Sequence, residues 1–480
     1  MQAEGITRSA RLIDHARRRL PWVLFVITTS IFLLTATHTN ASMDVVTSNL
    51  SSWQLATGTR PYLDGFNFSG LDGHPGRDVW IIRDSHDREI IGRSGGPVLL
   101  ALPEYAASKW VFGVHNFSMA PGAVAASLAA GMSVALLAAT LRPYLGDKRT
   151  ILATVTFAFA TPVWSVTANA VWPQTVTVLG ICAMAWAMSR GHWWLAGIFG
   201  GVVLWGRVQA AILVAIAGLV TATLRRHPQI AVRIGVTSGI GLGLLAGWSK
   251  WMYGSWNPTA YYNPDDLAKY APNGLIDPAN QLGSWVSPDR GILVWTPILI
   301  VLLPVLVRHW RRVPDWSRAL AVAGIAYTVF EAMLIEFPGG DSFYGYRMTL
   351  ELLVCLTPAI SIAALHVGRW GSALIAPLIA LQFVAISIGA VGENMGLPVS
   401  QVWRHNSFLD AAFARPAAGV ATIALVAVIA FLGRRIWNDP VVRRSSRRAE
   451  RRRVSRGVVP PGRAAGPPAP PPARTAGPTA

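Results

Sequence analysis

The sequence predicts an all-α polytopic membrane protein with about twelve transmembrane helices and a partly ordered first extracytoplasmic loop. Three observations carry this. Of 480 residues, 52% are hydrophobic and only 14% are charged, too few polar side chains to coat a water-soluble domain of that size. Apolar runs long enough to cross a bilayer recur at 21–38, 119–141, 150–167, 171–189, 192–206, 208–224, 232–252, 291–307, 318–336, 347–367, 371–391 and 417–433. Charge is also sorted by side. With the N-terminus inside and the spans alternating, inner segments collect 29 of the 42 Lys and Arg but only six of the 24 Asp and Glu, as the positive-inside rule requires. The formal net charge of +18 therefore reports orientation in the cell membrane, with both termini cytoplasmic. It suits anionic lipid headgroups as partners and calls for no nucleic acid.

The elements follow in order. Residues 1–20 are a basic cytoplasmic N-terminus, and 21–433 form the transmembrane domain. The first span follows a basic segment like a signal peptide, but no small-residue cleavage site breaks it, so it reads as a retained anchor. Residues 39–118 form the first extracytoplasmic loop. Within it, "MDVVTSNLSSWQLA" places Val45, Val46, Leu50, Trp53 and Leu55 near one helical face, with Asp44 at its start. "DVWIIRDSHDREIIGR" sets two apolar runs around Asp84-Ser85-His86-Asp87 and predicts a β-hairpin. "SGGPVLLALPEYAASKW" is apolar but broken by Gly95, Gly96, Pro97 and Pro103, which suits helix lying at the outer interface. Residues 253–290 and 392–416 are further outer loops. Residues 434–480 are a basic, then Pro/Ala-rich cytoplasmic tail, a disordered composition.

Candidate chemistry gathers at the outer ends of the spans. Asp44 stands just outside the first one, where it serves either as an acid at headgroup depth or as a helix cap. Ser287-Pro288-Asp289 reads as a helix start, and Arg290 beside it is either a phosphate ligand or a partner of Asp289. "EFPGGDSFYGYR", Glu336 to Arg347, puts two glycines, two tyrosines, an acid and an arginine between apolar runs. Asp341 and Arg347 either staple two spans or face a sugar phosphate, and Phe343, Tyr344 and Tyr346 suit stacking on a sugar or anchoring at the interface. Glu331 and Glu351 lie at membrane depth, where acids are costly and usually face a polar cavity. Arg207, Lys250, Arg290 and Arg347 fall at similar depth, as a cationic ring that a phosphate would explain. Cys182 and Cys355 both fall in spans, which suggests neither a disulfide nor a thiolate metal site. The sequence has no P-loop, GxSxG or HExxH, and its histidines lack ligand spacing.

In order along the chain, "ATPVWSVTANAVWPQTVTVLGICAMAWAM", "GVVLWGRVQAAILVAIAGL", "YGSWNPTAYY", "SWVSPDRGILVWTPILIVLLP" and "EFPGGDSFYGYRMTLELLVCLTPAIS" resemble bacterial integral-membrane glycosyltransferases of the GT-C superfamily. The similarity is to polyprenyl-phosphate-sugar-dependent mannosyl and arabinosyl transferases, and it covers most of the chain from Asp44 to about Val391. The resemblance implies a GT-C-like fold that transfers a sugar from a polyprenyl-phosphate donor to a cell-envelope glycan, glycolipid or protein outside the cytoplasm. It places the catalytic base at Asp44. The arginine ring, Arg347, Arg290, Arg207 and Lys250, would hold the donor phosphate. Asp341, Tyr344, Tyr346 and Glu331 would contact sugar or acceptor. Family members often carry a paired acid at the base, where this chain has Met43 and Val45 as neighbours of Asp44. A divalent metal is thus an option and not a requirement, with Asp64, Asp72 and Asp78 as further acids of the same loop. The same features would also serve a flippase of lipid-linked sugars or a non-catalytic envelope scaffold.

Overall fold

A computed structural model of the chain describes residues 19–37, 42–58, 60–63, 80–263, 268, 270–274, 276–392 and 396–438. The first eighteen residues, the tail from 439, and Asp64, Asp72 and Asp78 lie outside the described residues. The described chain is predominantly helical: α1 (Leu20–Thr35), α2 (Met43–Ala56), α3 (Gly95–Trp110), α4 (Ala120–Leu145), α5 (Asp147–Phe159), α6 (Pro173–Ser189), α7 (Trp193–Gly206), α8 (Ala211–Arg225), α9 (Gln229–Tyr253), α10 (Pro278–Val286), α11 (Ile292–Trp295), α12 (Ile298–Arg308), α13 (Asp315–Leu334), α14 (Leu350–Ala363), α15 (Arg369–Val391), α16 (Ser407–Phe413) and α17 (Pro416–Asn438).

Six helical stretches among the described residues are long and apolar enough to cross a membrane: Ala120–Leu145, Val208–Arg225, Gln229–Tyr253, Asp315–Leu334, Arg369–Val391 and Pro416–Arg434. Four shorter apolar helices, Leu20–Thr35, Trp193–Gly206, Ile298–Arg308 and Leu350–His366, accompany them. Two of the twelve predicted runs are interrupted, each at a proline. The 150–167 run leaves α5 after Phe159, and Pro162 leads into a π-helical turn at Val163–Thr167. The 291–307 run breaks at Thr296, which sits at φ −127°, ψ 60°. Pro297 after it disfavours the helical region for Thr296 and restarts the chain as α12. Nor does Ser287-Pro288-Asp289 start a helix. Ser287 closes α10, and α11 begins only after Gly291.

The helices pack as neighbours would in lipid. α6 lies against α4 and α7, α7 against α9, and α13 against α8 and α14. The α7–α9 crossing depends on glycine: a Cβ on Gly241 would come within 2.7 Å of the Gly201 Cα, so only small residues allow this backbone approach. Some hydroxyls in apolar helices bond back to carbonyls one turn earlier, as Thr28 does to Leu24 at 2.8 Å and Ser133 to Ala129 at 2.8 Å, which keeps those donors from facing hydrocarbon. Val232, Ile240 and Leu244 on α9 and Val420, Ile423 and Leu425 on α17 are exposed. Such apolar faces suit acyl chains and would be costly in water.

The predicted hairpin is present. β1 (Ile81–Arg83) pairs antiparallel with β2 (Glu89–Ile91), with Ile81 opposite Ile91 and Ile82 opposite Ile90. Its turn is held by Asp84, whose carboxylate accepts from the backbone N–H groups of His86 at 2.8 Å and Arg88 at 3.0 Å. The apolar face, Ile82 and Ile90, packs on Met252 and Tyr253 at the end of α9 and on Tyr261 in the turn that follows. The Tyr253 hydroxyl then donates to the Arg93 carbonyl at 2.6 Å and accepts from the Arg93 N–H at 3.1 Å. Hydrophobic alternation thus fixes the hairpin, and the hairpin fixes the position of Arg93.

Candidate functional site

Asp44 lies in the first turn of α2, where Ser42 takes the cap position. The carboxylate does not cap the helix, because both its oxygens are taken from elsewhere. Oδ1 accepts from the Trp80 indole at 2.9 Å and lies 3.0 Å from an Arg93 terminal nitrogen, and Oδ2 accepts from Arg347. Trp80 enters the hairpin and Arg93 leaves it. Arg347 comes from the loop between α13 and α14, 303 residues along the chain from Asp44.

That loop needs its unusual composition. Gly339, Gly340, Ser342 and Gly345 all hold positive φ, from 64° to 89°, a region that glycine enters without steric cost. The resulting turns present the Gly339 carbonyl to the second amino group of Arg347. They also lay the guanidinium over Trp172, 4.6 Å from its ring centroid, and over Phe343 at 5.2 Å. The Arg347 and Asp44 side chains are 12% and 15% exposed, while Arg93 is 3% exposed. The pair is therefore held firmly and is not fully covered. Burial alone would raise the Asp44 carboxyl. The adjacent Arg93 and Arg347 charges, with hydrogen bonds from Arg347 and Trp80, outweigh it and hold the group well below the usual carboxylate range.

The other predicted site residues divide. Arg207 lies one step from this centre. It pairs with Glu331, approaches Glu351 at 3.8 Å and touches the Met348 sulfur at 3.9 Å, next to Arg347 in the chain. Glu351 also accepts from Thr177 at 2.7 Å. Glu331 is thus the partner of a buried arginine.

The four predicted cations differ in their partners. Arg290 is 1% exposed and gives its terminal nitrogens to the carbonyls of Phe343, Gly345 and Leu397 at 2.9 to 3.0 Å, beside Asp289 at 3.3 Å. Lys250 is exposed and donates to the Gly254 carbonyl at 2.8 Å, which closes the end of α9. The tyrosines face inward. Tyr346 shares a hydrogen with Thr296 at 2.8 Å, and Tyr344 packs edge-on against Trp295 at 4.9 Å. Asp341 accepts from the Val399 N–H at 2.8 Å and so ties its loop to the segment before α16. Arg93, Trp80 and Trp172 belong to the site and were not singled out by sequence. Their signal was faint: Arg93 and Trp80 flank the predicted hairpin, and Trp172 stands in a conspicuous "AVWPQT".

No protein family profile and no curated protein matches the chain. Among solved structures, the chain is similar to ArnT from Cupriavidus metallidurans in the apo state. The identity is 14% and the TM-score 0.46, over 85% of this chain and 74% of that one.

The donor set argues against a divalent cation on Asp44. Two guanidinium groups already converge on its oxygens, and a third positive charge there would meet direct repulsion. Among the described residues, no three His, Cys, Asp or Glu side chains gather as a metal cluster. The arrangement does offer a carboxylate flanked by two cations of the kind that suit a phosphate, with flat aromatic faces beside them.

Proposed function

We propose that this chain is a GT-C-type glycosyltransferase that uses a polyprenyl-phosphate sugar and transfers the sugar to a cell-envelope glycan, glycolipid or protein on the extracytoplasmic side of the membrane. One observation carries the reading: Asp44 and Arg347, 303 residues apart, meet at one partly accessible site beside apolar helices. A structural staple would serve as well fully buried, but a lipid-borne phosphate needs access.

The chemistry follows from the groups present. An acceptor hydroxyl oxygen forms a bond to the anomeric carbon, and its proton passes to an Asp44 oxygen. The bond from that carbon to the phosphate oxygen breaks, and its electron pair leaves on the polyprenyl phosphate. The added negative charge on this leaving group meets the Arg347 guanidinium, which is fixed in advance by Trp172, Phe343 and the Gly339 carbonyl. No step passes through a metal ion.

The test is transfer by the purified protein in lipid nanodiscs, with radiolabelled polyprenyl-phosphate sugars and envelope glycan and lipid acceptors. Asp44→Asn is expected to lower turnover by about 10²- to 10⁴-fold, the usual size of a general-base contribution. Failure of every donor to transfer would remove the enzyme reading. Passage of a lipid-linked sugar across vesicles, equal in wild type and Asp44→Asn, would establish a flippase in its place.

A further inference from the structure

Asp44 presents a difficulty for the base just assigned to it. A carboxylate held by two guanidinium groups and an indole has three of its about four acceptor sites taken, and its attraction for a proton is greatly reduced. Yet the cations that quench it are of the kind a phosphate would engage. Arg93 is fixed through its backbone by Tyr253 and reaches Asp44 from the hairpin. Arg347 reaches it from the opposite chain segment and is backed by two aromatic rings.

We infer that Arg93 and Arg347 form a two-arginine clamp for the phosphate of a lipid donor, and that Asp44 occupies this clamp as an internal anion until the donor displaces it. The inference rests on the proposed function for the identity of the ligand, but the clamp itself stands on the geometry. A phosphate offers more acceptor oxygens than a carboxylate and engages both forks at once. As it enters, it takes the guanidinium partners from Asp44, and the negative phosphate beside Asp44 strengthens that carboxylate's attraction for a proton. The base is thereby switched on by the donor it serves. Donor binding precedes acceptor activation, and an acceptor arriving alone finds the base occupied. The structure adds Arg93 to the site, and it assigns Asp44 two successive tasks.

Binding separates this inference from the transfer reaction. The probe is farnesyl monophosphate, titrated into the full chain in detergent, with calorimetry as the readout; farnesol and inorganic phosphate run alongside. Asp44→Asn removes the competing anion, and affinity for farnesyl monophosphate is expected to rise about tenfold. Arg93→Ala and Arg347→Ala are expected to lose about tenfold or more, and Arg93→Lys to recover part of the loss. Asp87→Asn removes the same charge at the exposed hairpin turn, where Asn accepts a positive φ, and is expected to change nothing.

Unchanged or weaker binding by Asp44→Asn would overturn the displacement, as would an equal gain in Asp87→Asn. Full affinity in a well-folded Arg93→Ala would remove Arg93 from the clamp. Equal binding of farnesol would assign the affinity to the tail. If Asp44→Asn binds tighter while no sugar is transferred by wild type, the clamp stands and the proposed enzymatic function falls.

Discussion

Arg290, between α10 and α11, and Arg347, between α13 and α14, share Phe343 as a stacking surface, at 4.0 Å and 5.2 Å from its centroid. Arg290 and its neighbour Asp289 are 1% and 0% exposed, and Arg290 satisfies three carbonyls from two segments. Arg347 and Asp44 are 12% and 15% exposed and join helix to loop through a charged hydrogen bond, with the Gly339 carbonyl as the other acceptor of Arg347. The difference is one of partners. An arginine that satisfies backbone carbonyls is part of the scaffold, because removing it leaves buried acceptors bare. An arginine whose main partner is an exchangeable carboxylate is poised for another anion.

Three measurements test this comparison, from the largest expected effect to the smallest. Arg290→Ala should destabilise the protein by about 3–5 kcal/mol, the usual cost of breaking a buried charge network from one side. Arg347→Ala should lose ligand affinity with a much smaller change in unfolding temperature. Thermal unfolding in detergent decides it, and equal losses in the two variants would abolish the distinction.

The second concerns acid. The folded value of Asp44 lies below its unfolded value of about 3.9. Its stabilisation is therefore present above that unfolded value and is lost as pH falls toward the folded one. The unfolding temperatures of wild type and Asp44→Asn should converge as pH falls from about 5 to about 2, and a constant gap would contradict the assigned ion pair.

The smallest effect is expected at Lys250. Lys250→Ala should leave farnesyl monophosphate affinity within about twofold, since an exposed charge acts weakly through salt and water. A large loss would restore Lys250 to the phosphate site.

The sequence was informative wherever one segment decides the outcome. The hairpin followed from local alternation around Asp84 to Asp87, and the special turns of 339–345 from their glycines. Asp44 and Arg347 stood out because charge is rare beside apolar runs. What escaped depends on distant partners. Nothing near Arg290 in sequence shows that Phe343, Gly345 and Leu397 would fold around it, and nothing near Arg207 shows that Glu331 would pair with it. Tyr344 and Tyr346 suited sugar contact by type, but the direction of a ring is set by the neighbours that close over it, Trp295 and Thr296 in this case. Two spans also read as continuous from sequence. Hydropathy averages across Pro162 and Pro297, while the backbone breaks at each of them.

The hairpin that carries Trp80 and Arg93 works as a caliper. Because Trp80 lies opposite Gly92, with the Gly92 N–H on the Trp80 carbonyl at 2.9 Å, both jaws are set by one strand register. Lengthening the turn beyond Arg83 and Glu89 would leave the jaws where they are. A one-residue slip between the strands would turn both away together. The grip at the base of this element therefore depends on the register of its strands and not on the length of its turn.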